Sequence, residues 1–160
     1  MDWPALFLKL AHVALAMAFV AGLAGRWLVL RAAERSDEIG RTDALLKAAE
    51  PFEQTVRVSS ILVLLAGLLT AWAQGYAWLG LTTGWMLASV VIFIVVGLLI
   101  PTVFLPRGAR FAAALESARA EGRITDALRA AFADPVVRAS HWAEAVAVAA
   151  IVALMVLKPF

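Results

Sequence analysis

The sequence contains no cysteine. That absence excludes disulfide bonds, thiolate metal sites and covalent attachment of haem through a Cys-x-x-Cys-His motif. Charge is also scarce, with 14 basic and 12 acidic residues among 160 and a formal net charge of +2. No basic stripe with interleaved aromatic residues occurs, so we expect no nucleic acid among the partners of this protein.

Recognised catalytic motifs are missing as well. The chain has no His-Glu-x-x-His motif, no Walker phosphate loop, no serine nucleophile elbow and no cluster of acidic metal ligands. These absences favour a protein without catalytic activity of its own, and an enzyme remains the alternative.

Apolar residues dominate what is present, at 63% of the chain. A soluble domain is nearer half apolar, so the excess indicates a solvent other than water. About 20 helical residues cross a hydrocarbon core of about 30 Å. Pro51 suits a first helical turn, and Pro106 suits a helix end. The sequence therefore predicts an all-α, four-helix transmembrane bundle in a single domain of residues 1–160, with helices at residues 5–30, 51–74, 84–105 and 139–157.

Two polar connections separate these predicted spans, residues 31–50 and residues 106–138, and both are expected to contain short interfacial helices. Twelve of the 14 basic residues lie in or next to them, and only Lys9 and Lys158 lie at the other ends of the spans. Because basic residues concentrate on the cytoplasmic side, we expect both connections to be cytoplasmic. Both termini would then lie on the non-cytoplasmic side of a bacterial inner (plasma) membrane, with the lipid bilayer around the spans.

His12 is an ionisable residue within the first predicted span, roughly 10 Å below its outer end by helix rise. Ionisable groups at such depth are costly and are functional candidates by default. Two interpretations stay open: a neutral imidazole that is merely hydrogen-bonded, and an axial ligand of haem iron.

A second group of ionisable residues is predicted near the inner ends of the spans. Arg26 and Glu144 lie at matching depths on the first and fourth helices, so the two charges can meet. Arg57 and His141 fall close to the same level. The group is interpreted either as a salt bridge that joins helices or as an anion site for haem propionates, a lipid headgroup or a quinone.

One chain cannot clamp a haem between its two histidines. The predicted topology places His12 and His141 roughly 15 Å or more apart in depth. Axial nitrogens on one iron are only about 4 Å apart, given iron–nitrogen bonds near 2 Å. Any haem would use one of them with a different or absent sixth ligand, or two histidines from two chains.

Small residues form a stripe on the first helix that includes Ala14, Ala18, Gly22 and Gly25. The fourth helix is rich in alanine. Helices in lipid associate by close backbone approach, so we expect the first and fourth helices to pack against each other.

The first helix carries Lys9-x-x-His12 followed by Phe19, Gly22 and Arg26. In these residues it resembles the first helix of the four-helix bacterial protoporphyrinogen oxidase family, and it also looks like the copper-resistance D-type membrane domain. The oxidase resemblance implies b-type haem with His12 as the iron ligand. That family has a functional lysine near the start of its third helix, whereas residues 85–89 contain none, so the resemblance extends to haem binding more readily than to oxidase activity.

Gly84-Trp85 at the start of the third helix and the ending from Leu154 to Pro159 carry a further resemblance. In these residues, and over most of its length, the chain resembles an uncharacterised family of small predicted integral membrane proteins.

Three functional hypotheses follow. The leading one is a small membrane subunit that binds b-type haem and serves electron transfer or haem handling. The second is a structural accessory subunit without a cofactor, held by partner membrane subunits or by a second copy of the chain. The third is a protoporphyrinogen oxidase-like enzyme.

Overall fold

In a computed structural model, residues 3–159 are described, and they form six α-helices with no strand. Four helical stretches are long and apolar enough to cross a membrane: Trp3–Glu34, Ile39–Ala73, Gly84–Glu121 and Asp126–Leu157. The all-α fold class with four membrane-spanning stretches is thereby confirmed. The helices are α1 (Trp3–Glu34), α2 (Ile39–Ala73), α3 (Gly84–Gly97), α4 (Leu105–Glu121), α5 (Asp126–Phe132) and α6 (Pro135–Leu157).

The second span begins well before the predicted residue 51, because α2 starts at Ile39 and contains Pro51 in its interior. The missing N–H of Pro51 removes one backbone hydrogen bond. Ile39 and Leu46 pack against a buried cluster at this end of the molecule, which stabilises the earlier start. The first connection is therefore only residues 35–38 and holds no separate interfacial helix.

The third span continues past the predicted end at residue 105. After α3, a π-helical turn covers Ile100–Phe104 and contains Pro101, and α4 then extends to Glu121. Pro106 does not end the helix, because it occupies the first turn of α4, where a missing N–H is tolerated.

The fourth span begins at Pro135, four residues before the predicted start at residue 139. The carboxylate of Asp134 accepts hydrogen bonds from the backbone N–H groups of Val136 and Val137, at 2.8 and 3.2 Å. Such capping satisfies donors that a helix start leaves without intrahelical partners. The predicted end at residue 157 agrees with the structure.

Helix α1 packs along its length against α2, and α3 packs against α6. The glycines of α1 face α2: a Cβ at Gly22 would lie 2.9 Å from Cγ2 of Val56, and one at Gly25 would overlap the Phe52 ring. The expectation that the small residues of α1 pack against the fourth helix is therefore wrong. The connection of residues 35–38 is too short to let α1 and α2 separate, so they become antiparallel neighbours.

Gly25→Ala is expected to destabilise the protein by about 1–3 kcal/mol, because the new methyl group must displace the Phe52 ring or separate α1 from α2. The matched control is Gly97→Ala, where an added Cβ meets nothing within 4 Å. Unfolding by sodium dodecyl sulfate in mixed micelles measures both variants. Equal stability of the two variants would contradict this account of the α1–α2 contact.

A buried cluster lies at the end of the bundle formed by residues 31–50 and 106–138, which we call the charged end. Leu115, Ala118 and Leu128 are its buried members. The partly buried residues packed against it include Ile39 and Phe111, and the Phe111 and Phe132 rings meet edge to face, 4.8 Å apart. The second connection thus contains helices, as predicted, but α4 and α5 enclose a core with the start of α2.

Three ion pairs join residues 31–50 to residues 106–138 at the charged end. Arg119 donates to Asp43 at 3.0 Å, Arg129 to Asp37 at 3.0 Å, and Arg138 to Glu34. Exposed pairs of this kind contribute little stability each, so the buried cluster carries most of the binding energy between residues 31–50 and residues 106–138.

The opposite end has a smaller buried cluster of Ala71, Trp85 and Met86. The link between α2 and α3 contains a short 3-10 helix, Ala77–Gly80, in which Trp78 and Leu79 adopt φ of 49° and 57°. Non-glycine residues seldom occupy this left-handed region, so the turn is locally strained.

Candidate functional site

His12 lies on α1 with its imidazole ring against α2. Its Nδ1 is 3.0 Å from the backbone carbonyl oxygen of Val63. Gly67, one turn further along α2, permits this approach, because a Cβ there would lie 2.9 Å from Cε1 of the ring. The site thus consists of one imidazole, one carbonyl and one glycine at the α1–α2 contact.

The Val63 carbonyl determines where the imidazole carries its proton. A carbonyl oxygen only accepts hydrogen bonds, so Nδ1 of His12 must be the donor. In the neutral ring the lone pair is then on Nε2. Nε2 makes no hydrogen bond within residues 3–159, and the His12 side chain is half-buried. A nitrogen lone pair without a protein partner is available to a ligand.

A charged cluster joins α1 to α6 near the charged end. Arg26 donates to Oε2 of Glu144 at 2.8 Å, and Nδ1 of His141 lies 3.4 Å from the same oxygen. The Phe104 ring stacks on the His141 ring with centroids 4.9 Å apart. The Arg26 and Glu144 side chains are only 17% and 14% exposed. The Glu144 carboxylate therefore contacts two basic side chains in a region that little water reaches. Removing the charge of Arg26 or of Glu144 would leave the other charge largely buried without a partner, which is costly.

Arg57, placed by sequence at the same level, does not join this cluster. Its side chain is exposed, and it has no ion pair among residues 3–159. The structure thus brings Arg26, His141 and Glu144 together and leaves Arg57 apart.

The His12 site and the charged cluster lie at different levels of the bundle. His12 and Arg26 are both on α1, fourteen residues apart in sequence, which corresponds to about 21 Å along a helix. Since His141 is in the Arg26 cluster, the two histidines of one chain cannot ligate the same iron.

Three site features escaped sequence reasoning. The Val63 carbonyl has no signal in the sequence, and neither does the stacking of Phe104 on His141. Gly67 is different, because an isolated glycine inside an apolar helix indicates a close approach. What it cannot indicate is the identity of the approaching group.

Clustered metal ligands are not found in the part of the chain that the structure describes: no group of three or more His, Asp or Glu side chains could hold a metal ion. The arrangement at His12 therefore offers a single nitrogen ligand.

Comparison with known proteins identifies a family for the chain. No curated protein and no solved structure matches it. A family model described as "Predicted integral membrane protein (DUF2269)" matches residues 6–159, nearly the whole chain. With its four apolar helical stretches, the protein is an integral membrane protein that contacts the lipid bilayer. The chain belongs to the DUF2269 family of predicted integral membrane proteins, whose function is unknown.

Proposed function

We propose that this protein is a small integral membrane subunit that binds b-type haem through Nε2 of His12 and serves electron transfer or haem handling. The observation that carries the proposal is the hydrogen bond from Nδ1 of His12 to the Val63 carbonyl oxygen, at 3.0 Å. Histidines that bind metals usually donate their other ring N–H to a carbonyl or carboxylate, which orients the ring and raises its basicity.

The donor chemistry of the site fits haem better than a free metal ion. Haem supplies four nitrogen ligands itself and needs only one or two axial ligands from protein. A lone imidazole meets that need, whereas a bare zinc ion requires three or four protein ligands.

The partial exposure of His12 affects where a haem would lie and which molecule could supply a second protein ligand to its iron. A half-buried ring at the surface of the α1–α2 pair would hold haem between the protein and the lipid, or between two copies of the chain. In the second arrangement, each copy contributes its own His12 to one iron. The proposed partners are therefore a second copy or another membrane subunit.

The proposed orientation places the charged end in the cytoplasm of a bacterial cell. Twelve of the 14 basic residues lie at or near that end, which is the bias that orients multi-span proteins. His12 would then lie in the half of the inner membrane away from the cytoplasm, and both termini on the non-cytoplasmic side.

The test is an absorption spectrum of protein purified from haem-replete cells. The wild-type protein is expected to show a Soret band, and His12→Ala is expected to lose it because this variant lacks the nitrogen proposed to hold the haem. Gly67→Ala keeps the imidazole but forces it away from α2, so this variant should retain much less haem than the wild type.

His141→Ala is the matched control, since it removes the other histidine and should leave the Soret band unchanged. Circular dichroism verifies that each variant keeps its helix content. Wild-type protein without haem would overturn the proposal, as would a full Soret band in His12→Ala.

A further inference from the structure

A shallow groove lies beside α1 where this helix leaves the apolar part of the chain. Its lining residues are Trp27, Leu28, Arg31, Ala32 and Arg35, and its volume is about 350 Å³. The Arg31 guanidinium lies over the Trp27 ring, 5.3 Å from its centroid. The groove shares no residue with the His12 site or with the charged cluster.

The two arginines of this groove have no acidic partner in the part of the chain that the structure describes. Neither Arg31 nor Arg35 forms an ion pair within residues 3–159. The nearest acidic residues in sequence are engaged elsewhere, because Glu34 pairs with Arg138 and Asp37 with Arg129. Both arginines therefore line the same groove, Arg31 on α1 and Arg35 directly after its end, and neither has a carboxylate partner among the described residues.

The change from apolar to basic residues near the end of α1 matches the change from acyl chain to phosphate in a phospholipid. Trp27 and Leu28 are large, exposed and apolar, at 46% and 61% exposure, and they lie one turn deeper than the arginines. Residues 5–30 are predominantly apolar, so Arg31 and Arg35, which follow this segment, fall at the level of the headgroups. The acyl chain of a phospholipid lies at the depth of Trp27 and Leu28, and its phosphate lies at the depth of Arg31 and Arg35.

We propose that this groove binds an anionic phospholipid. Arg31 and Arg35 hold the phosphate with charge-assisted hydrogen bonds, for which the planar guanidinium is suited. One acyl chain lies along Trp27 and Leu28. The negative headgroup complements two positive charges that the protein leaves unpaired, which is why an anionic lipid is preferred to a zwitterionic one.

The experiment measures lipid retention by native mass spectrometry of the purified protein in detergent. Phosphatidylglycerol, phosphatidylcholine and inorganic phosphate are added in separate arms. Wild-type protein is expected to retain phosphatidylglycerol in preference to phosphatidylcholine. Arg31→Gln with Arg35→Gln should lower phosphatidylglycerol retention by roughly tenfold or more, given the usual attraction of each basic residue to an anionic surface.

The matched control is Arg41→Gln with Arg110→Gln, which removes the same charge from exposed residues outside the groove. It should retain phosphatidylglycerol as the wild type does. Three results would overturn the proposal: equal retention by the groove variant, equal loss in the control, or displacement of the lipid by millimolar inorganic phosphate. The last would indicate a general anion site. Both double variants are checked for helix content by circular dichroism.

Discussion

Glu144→Ala is expected to lower the free energy of unfolding by about 3 kcal/mol, because it leaves Arg26 as a largely buried charge without a partner. Breaking a buried ion pair by removing one member typically costs about 3–5 kcal/mol. The side chains of Arg26 and Glu144 retain 17% and 14% exposure, so the lower end of that range applies. Unfolding in mixed detergent micelles measures the loss.

A double variant separates the ion pair from the packing of these side chains. Arg26→Leu with Glu144→Leu removes both charges and should recover most of the stability, since an apolar replacement of a whole buried pair is often neutral. Glu53→Ala removes an exposed carboxylate from α2 and serves as the control, with an expected change within about 0.5 kcal/mol. A double variant less stable than Glu144→Ala would show that the cluster does not act as described.

Leu128→Ala is expected to open the core at the charged end, at a cost of about 2–5 kcal/mol. Leu128 is 0% exposed and packs where α4, α5 and the start of α2 meet. Truncating it leaves a cavity that the exposed ion pairs around it cannot offset. Hydrogen exchange is the measurement: a loss of about 2 kcal/mol lowers amide protection in α4 and α5 by roughly thirtyfold.

The control for this prediction is Leu105→Ala, which truncates the same side chain at the start of α4, where Leu105 is 65% exposed. Protection in α4 and α5 should stay close to the wild type in this variant. Unchanged amide protection in Leu128→Ala would mean that the ion pairs, and not the buried cluster, hold residues 31–50 and residues 106–138 together.

The four spans were predictable from composition because apolar length alone decides whether a helix can cross a bilayer. Their bounds were less predictable. Pro51 and Pro106 both suggested helix boundaries, yet both lie within helices. A proline's local cost of about 3 kcal/mol can be outweighed by tertiary packing, such as that of Ile39 and Leu46 in the charged-end core.

Depth in the membrane and direction around the helix axis were not equally predictable. Depth follows from a fixed rise per residue, so sequence reasoning placed Arg26 and Glu144 at one level, and the structure brings them into contact. Direction depends on which helices are neighbours. Arg57 shares that level but is exposed. For the same reason, the sequence indicated His12 as a candidate without indicating that Val63 and Gly67 lie opposite it.

The π-helical turn at Ile100–Phe104 sets the angular phase between α3 and α4. Such a turn accommodates one residue more than an α-helical turn, and each α-helical residue advances the chain by about 100°. Winding the same residues as a regular α-helix, without the π turn, would rotate α4 by about 100° relative to α3. Leu115 and Ala118 would then turn away from α5, although neither residue had been changed. The five residues of this turn thus couple the orientation of α3, the first part of the third span, to the assembly of the charged end.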